Sequence, residues 1–131
     1  MSKEKIYIFD TTLRDGAQTQ GVDFNVQDKV KIAEILSKIG VDYIEGGWPG
    51  ANPVDTEFFS KKLKLNKSIF TAFGMTKKNG RSADNDPGLS PLTNATCPAV
   101  CIVGKSWDFH VRTALGIKNE ENLENIKESA K

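Results

Sequence analysis

The sequence is short of several things, and each shortage excludes something. Its 18 lysines and arginines are nearly cancelled by 17 aspartates and glutamates. It therefore lacks the basic excess that an electrostatic nucleic-acid footprint requires. No apolar run approaches the ~18 residues of a membrane span. The opening MSKEKIYIFD is too charged, and its apolar stretch too short, for a signal peptide, so the expected location is the cytoplasm. No GxGxxG follows the first apolar run, which weakens the case for a dinucleotide site. Only two cysteines occur, Cys97 and Cys101 in CPAVCIV. Without a second Cys/His pair this CxxxC is a weak zinc signal, and buried reduced thiols on one strand fit better.

What remains is the composition of an ordinary globular domain: 131 residues, 38% hydrophobic and 27% charged. The chain repeats an apolar run, a polar loop and an amphipathic helix. Ile6 to Phe9 is the first predicted strand. Asn25 is placed to cap a helix with Asp28 in its first turn. Ile32, Ile35, Leu36 and Ile39 form its apolar stripe, and Gly40 stands at the left-handed C-terminal cap. Val41 to Ile44 is the second strand, ending at Glu45 and the loop GGWPGA. Asn52-Pro53 starts a second helix whose buried side is Val54, Phe58, Phe59 and Leu63. Ile69 to Phe73 and Ala99 to Val103 are the third and fourth strands. Between them Pro91 predicts a short, kinked or frayed helix. Asn119 is expected to cap a last helix that runs to Lys131, with Leu123 and Ile126 inside.

Strands alternating with helices predict a parallel α/β sheet, either doubly wound or a TIM barrel. In a barrel, polar residues at the C-terminal strand ends converge on one site. Here three of the four predicted strand ends carry such residues: Asp10, Arg14 and Asp15; Glu45; and Ser106, Asp108 and His110. That favours the barrel. A whole barrel needs about 250 residues and eight βα units. The expected fold is therefore the N-terminal half of a TIM (β/α)8 barrel, about four βα units, with residues 1–131 forming one partial domain.

The loop DTTLRDGAQTQG, directly after the first strand, holds two carboxylates and one guanidinium. A carboxylate at a strand end can hold a divalent cation, while the arginine stays charged and can face an oxyanion. A chelating oxyacid or ketoacid would suit such a pair. The other reading of the same residues is a salt-bridged turn in which Asp10 or Asp15 pins Arg14.

FDTTLRDGAQTQGVDF, GVDYIEGGWPGANP, FGMTKKNGRSADNDPGL and VGKSWDFHV together resemble the DRE-TIM metallolyases. That superfamily includes 2-isopropylmalate synthase, homocitrate synthase and 3-hydroxy-3-methylglutaryl-CoA lyase. GGWPGANP and the GKSWD segment are most similar to the citramalate synthases. The resemblance implies a pyruvate carboxyltransferase-type TIM barrel with a divalent metal ion (Mg, Mn or Zn) at its C-terminal face. It also implies an acyltransferase reaction, Claisen condensation of acetyl-CoA with pyruvate to (R)-citramalate on the route to isoleucine. A 2-isopropylmalate synthase-like or lyase-like substrate is the alternative within the family.

Carried onto this sequence, the resemblance makes Asp15 a metal ligand and gives Arg14 the ketoacid carbonyl and its oxyanion. Gln18 and Glu45 would line the same pocket, and His110 would reach substrate from the rim. Rival readings pair Glu45 with Arg14 and make His110 a structural hydrogen-bonding group. Trp48 and Trp107 are expected to pack around the mouth, and Lys77, Lys78 and Arg81 to form a solvated loop rather than meet CoA phosphates.

The family completes its metal site with an HxH pair, and His110 is the only histidine here. A half barrel also leaves two open sheet edges and an uncovered face. The expectation is a chain inactive alone, either needing a companion chain with the second half-barrel or arising by gene truncation. The alternative is a non-catalytic half-barrel that self-associates or binds a full-length synthase.

Overall fold

The computed structural model describes residues 3–131. Four parallel strands, β1 (Phe9–Asp10), β2 (Tyr43–Gly47), β3 (Ile69–Met75) and β4 (Ala99–Val103), pair in the order β1-β2-β3-β4. Strand order equal to chain order, with no reversal, is that of a barrel wall and not of a doubly wound sheet. The helices are α1 (Val26–Ile39), α2 (Pro53–Ser60), α3 (Ser90–Asn94), α4 (Asp108–His110) and α5 (Asn119–Ser129). A π turn (Val111–Leu115) extends α4. Among the described residues no helix is long and apolar enough to cross a membrane.

The local signals act as their chemistry requires. Asn25 and Asp28 form a reciprocal capping box at 2.9 and 3.2 Å, and Gly40 closes α1 at φ 96°. The Asn52 side chain accepts from the Asp55 N–H at 2.8 Å, with Pro53 at the first helical position. α3 is only five residues long; Pro91 sits harmlessly in its first turn, and the chain leaves the helix after Asn94, reaching a left-handed Thr96 at φ 52°. Ile44, Phe70 and Ala72 pack with Phe58, Phe59 and Leu92 to form the core between sheet and helices. Phe70 lies 4.7 Å from the Phe59 ring and 5.2 Å from that of Phe58.

Several boundaries and faces differ from the sequence expectation. The run Ile6 to Phe9 is exposed, and regular pairing begins only at Phe9. Its one strand neighbour is β2, so among the described residues its other edge is unpaired. On α1 the buried residues are Val26, Lys29, Ala33 and Ser37, while Ile35 and Ile39 are exposed. Glu45 lies inside β2 rather than at its end. In α5 Asn119 is the first helical residue instead of the cap, and the helix stops at Ser129. Its inward face is Asn122 and Asn125, with Leu123 outside. The polar face wins because Asn122 Nδ2 donates to the Lys105 carbonyl at 2.8 Å and Asn125 Nδ2 to Asn79 at 3.3 Å. Lys77 is buried instead of solvated, donating to the Arg81 carbonyl and paired with Glu128 at 2.7 Å.

Candidate active site

The strand ends bring Arg14, Asp15 and Glu45 together. Arg14 follows β1 in a tight turn in which the N–H groups of Arg14, Asp15 and Gly16 all donate to the Thr11 carbonyl. Leu13, fully buried, anchors that turn in the core and turns its neighbour Arg14 toward the sheet. Arg14 Nε donates to Glu45 Oε2 at 2.7 Å, and Nη1 to Asp15 Oδ1 at 3.2 Å. The guanidinium lies 4.0 Å from the centre of the Phe73 ring. Glu45 is 1% exposed and Arg14 about a fifth exposed, so the pair is partly withdrawn from water. A guanidinium held by a carboxylate and an aromatic face has little rotamer freedom left. The result is a fixed guanidinium near the strand ends, its charge shared by the Glu45 and Asp15 carboxylates.

The alternation of β3 and β4 puts a thiol beside this group. Phe73 pairs with Cys101 across the two strands. Burial pushes the Cys101 thiol above its ordinary pKa, the Glu45 carboxylate adds to the rise, and Arg14 opposes it. Cys97 and Cys101 are both free but half-buried rather than buried, and they do not share a strand: Cys101 lies in β4 and Cys97 precedes it.

Behind the site lies a second, buried ion pair. Lys29 Nζ from α1 contacts Asp55 Oδ1 from α2 and donates to the Gly46 carbonyl at 3.0 Å. Asp55 Oδ2 accepts the Trp48 N–H at 2.9 Å and Asn52 Nδ2 at 3.0 Å. Lys29 and Asp55 thus grip the end of β2, at Gly46, and the first residue beyond it, Trp48. The Gly46-Gly47 pair is the steric counterpart of that grip. A Cβ at Gly46 would meet the Phe70 ring at 2.3 Å, and one at Gly47 would meet Asp55 Cγ at 2.5 Å. Gly47 also holds φ at 150°, where a side chain is strained. Trp48 follows β2 with its ring 5.5 Å from Phe73.

Of the other predicted site residues, Gln18 is exposed and lines, with Arg14 and Trp48, a cleft of about 380 Å3. His110 is exposed, its ring 4.5 Å from that of Trp107. Among the described residues no hydrogen bond or ion pair links it to Arg14, Asp15 or Glu45. Trp107 itself is more than half exposed rather than packed. Sequence reasoning missed Phe73, Lys29 and Asp55. No local signal marks Lys29 or Asp55, because each has an ordinary place in its own helix.

Asp15 is largely exposed, and one of its oxygens takes Arg14. Among the described residues no group of three or more His, Cys, Asp or Glu stands close enough to hold a metal ion. A lone exposed carboxylate does not by itself fit a resident divalent cation.

The sequence matches the HMGL-like family model over residues 5–131. It is 51% identical over 128 residues to the (R)-citramalate synthase of Aquifex aeolicus, covering 96% of this chain and 24% of that protein. With the (R)-citramalate synthase of Geobacter sulfurreducens the identity is 52% over 132 residues, covering 98% and 24%. The 2-isopropylmalate synthase 1 of Caldanaerobacter subterraneus is 36% identical over 132 residues, covering 100% and 32%. The crystal structure of hydroxymethylglutaryl-CoA lyase from Pseudomonas aeruginosa superposes with a TM-score of 0.70 at 20% identity. That match covers 93% of this chain and 40% of the lyase chain. The chain belongs to the HMGL-like family and has the fold of four consecutive βα units of a TIM barrel. It spans about a quarter of the length of the citramalate synthases it matches.

Proposed function

We propose that this chain forms the part of a citramalate synthase-like enzyme that receives the ketoacid, in a Claisen condensation of acetyl-CoA with pyruvate. The remaining βα units come from elsewhere, in a companion chain or a longer protein. The observation that carries the reading is Arg14, clamped by Glu45 and Phe73 at the strand ends. Once the thioester methyl has given a proton to a base supplied by the remaining units, its carbon attacks the ketone carbon. The C=O π electrons pass to oxygen as an alkoxide, and water then cleaves the thioester to release CoA. A pre-oriented guanidinium stabilises the alkoxide charge without reorganising as the reaction proceeds. Glu45 is buried and already accepts from Arg14, so its part is to aim the guanidinium and not to carry the proton. Gln18 orients substrate from the cleft it shares with Arg14. Asp15 contributes one carboxylate, which becomes a metal ligand only with donors from outside this chain. His110 has no part in this reading.

The test is a chimera in which this chain replaces its counterpart in the Aquifex aeolicus synthase, 51% identical over 128 residues. Release of free CoA thiol from acetyl-CoA should depend on pyruvate, with Arg14→Met lowering kcat by about 10²–10³, the scale of one oxyanion donor. A folded chimera with unchanged kcat in Arg14→Met would overturn the role given to Arg14. Turnover with a branched 2-ketoacid in place of pyruvate would overturn the substrate.

A further inference from the structure

Both outer strands of the sheet are open. Among the described residues β1 pairs only with β2, and β4 only with β3. Each of the two is apolar on both of its faces. In β1, Asp10 is level with Ile44, which is buried against the helices. By alternation Ile8 therefore shares the helix side, and Phe9 takes the other side, where its ring stacks on Tyr43 at 5.9 Å. In β4, Val100 is level with the buried Ala72, and Cys101 with Phe73. Val100 and Ile102 thus face the helix layer, and Val103 the side that holds Arg14. Ile8, Phe9, Val100, Ile102 and Val103 are all between 37% and 59% exposed. An edge suited to water carries charge or cover. These five side chains carry no charge.

The helices beside the two edges have matching faces. α1, which follows β1, exposes Ile35 and Ile39. Lys31 stands one turn before Ile35, in no ion pair among the described residues. α5 packs over the end of β4 through Ile126, which a Cβ on Gly104 would meet at 2.7 Å. It exposes Leu123, flanked by Glu120 and Glu124. Glu124 is 3.4 Å from Lys127, while Glu120 is in no ion pair among the described residues. In a barrel wall the helices run the same way, so α5 of one unit lies parallel to α1 of the next. Lys31 and Glu124 are each the sixth residue of their helix, which sets opposite charges level.

Four parallel strands in chain order are half of an eight-stranded barrel. We propose that these edges and helix faces bind a second copy of this chain. β4 and α5 of each copy pack on β1 and α1 of the other, around a two-fold axis that runs along the barrel. The arrangement closes on itself and leaves no sheet edge. It buries Leu123 against Ile35 and Ile39, with Lys31 beside Glu120 and Glu124. This goes beyond the Claisen reading and does not rest on it. A second copy brings another Arg14 but no histidine besides His110, so it completes the wall and not a metal site.

Sedimentation equilibrium of the 131-residue chain should show a dimer. Lys31→Glu should weaken it about tenfold, and adding Glu120→Lys/Glu124→Lys to the same chain should restore it. In a Cys97→Ser/Cys101→Ser background, Ile35→Cys/Leu123→Cys should oxidise to a covalent dimer. Either of those last two substitutions alone should not, because the contact joins different residues. The helix positions changed are all exposed, so the fold should survive, and circular dichroism checks it. A folded monomer at concentrations up to about 0.1 mM would overturn the proposal. So would disulfide dimers from Ile35→Cys alone, the mark of a like-with-like contact. A ladder of higher multimers, the mark of an open head-to-tail chain, would overturn the closed pairing. None of these outcomes touches the chimera, and a silent chimera would leave the dimer standing.

Discussion

Replacing Lys29 by methionine is the perturbation whose size follows most directly from the structure. The side chains of Lys29 and Asp55 are 4% and 10% exposed, so neither charge is solvated by bulk water. Methionine keeps the length of the lysine stem but removes the ammonium. Asp55 Oδ1 then loses its bond to Lys29, while Oδ2 keeps the Trp48 N–H and Asn52 Nδ2. Leaving one partner of a buried ion pair uncompensated costs about 3–5 kcal/mol. The two surviving donors put Lys29→Met near the lower end, about 3 kcal/mol. Urea unfolding, followed by Trp48 fluorescence in a Trp107→Phe background, reads this directly. With a slope of about 1.5 kcal/mol per M, the midpoint should fall by about 2 M. Lys29→Met/Asp55→Leu should cost clearly less than the two single changes together, because no charge is then stranded. A midpoint shift below about 0.5 M, or a strictly additive cycle, would refute the view that this pair is a buried, coupled anchor for the end of β2.

Two further outcomes follow from the titrating groups. Burial raises the Asp86 pKa, but the N–H donors of Lys78, Gly88 and Leu89, with Arg81 nearby, outweigh it and bring it below the ordinary value. A depressed carboxyl pKa adds stability that is present above the unfolded value of about 3.9 and lost as pH falls through the folded one. Asp86→Asn should therefore lower the urea midpoint at pH 6 and shrink its drop between pH 6 and pH 3; an unchanged drop would contradict this. At Cys101 burial comes first and the Glu45 charge second in holding the thiol protonated. In a Cys97→Ser background Glu45→Gln should speed iodoacetamide alkylation at pH 8, and an unchanged rate would separate the two groups.

Local chemistry was legible in the sequence wherever one residue type solves one local problem. Asn25 with Asp28, Gly40 and Asn52-Pro53 all act within a few residues of themselves. The bounds of β4 were legible for a similar reason, since Ala99 to Val103 is a short β-branched run between polar segments. Arg14 and Glu45 could be proposed as neighbours, because strand ends converge in a barrel. Their pairing was one of the readings of the sequence, and the hydrogen bond between them bears it out, but the Phe73 ring beneath them required the strand register. Lys29 and Asp55 were out of reach because each has an ordinary local explanation, a polar helix residue and an acid in a first helical turn. Only the packing of α1 against α2 makes them partners.

The misplaced hydrophobic residues follow a different rule, and it bears on what the sheet is part of. Periodicity predicted burial for Ile6 to Phe9, Ile35, Ile39 and Leu123, and all of them are exposed. Val100, Ile102 and Val103 of β4 are exposed as well. In β2 and β3, which have a strand on both sides, Ile44 and Ala72 are fully buried and Phe70 nearly so. Strand burial thus tracks the number of neighbours and not hydrophobicity, since β4 is at least as apolar as the two strands between the edges. An apolar pattern written equally across edge and central strands is one suited to a wall that continues past both edges. That agrees with a chain matching 40% of the lyase barrel and about a quarter of the citramalate synthases. It also explains why the clearest chemistry lies on the central side, between Arg14, Glu45 and Phe73, where the sheet is closed enough to hold a side chain still.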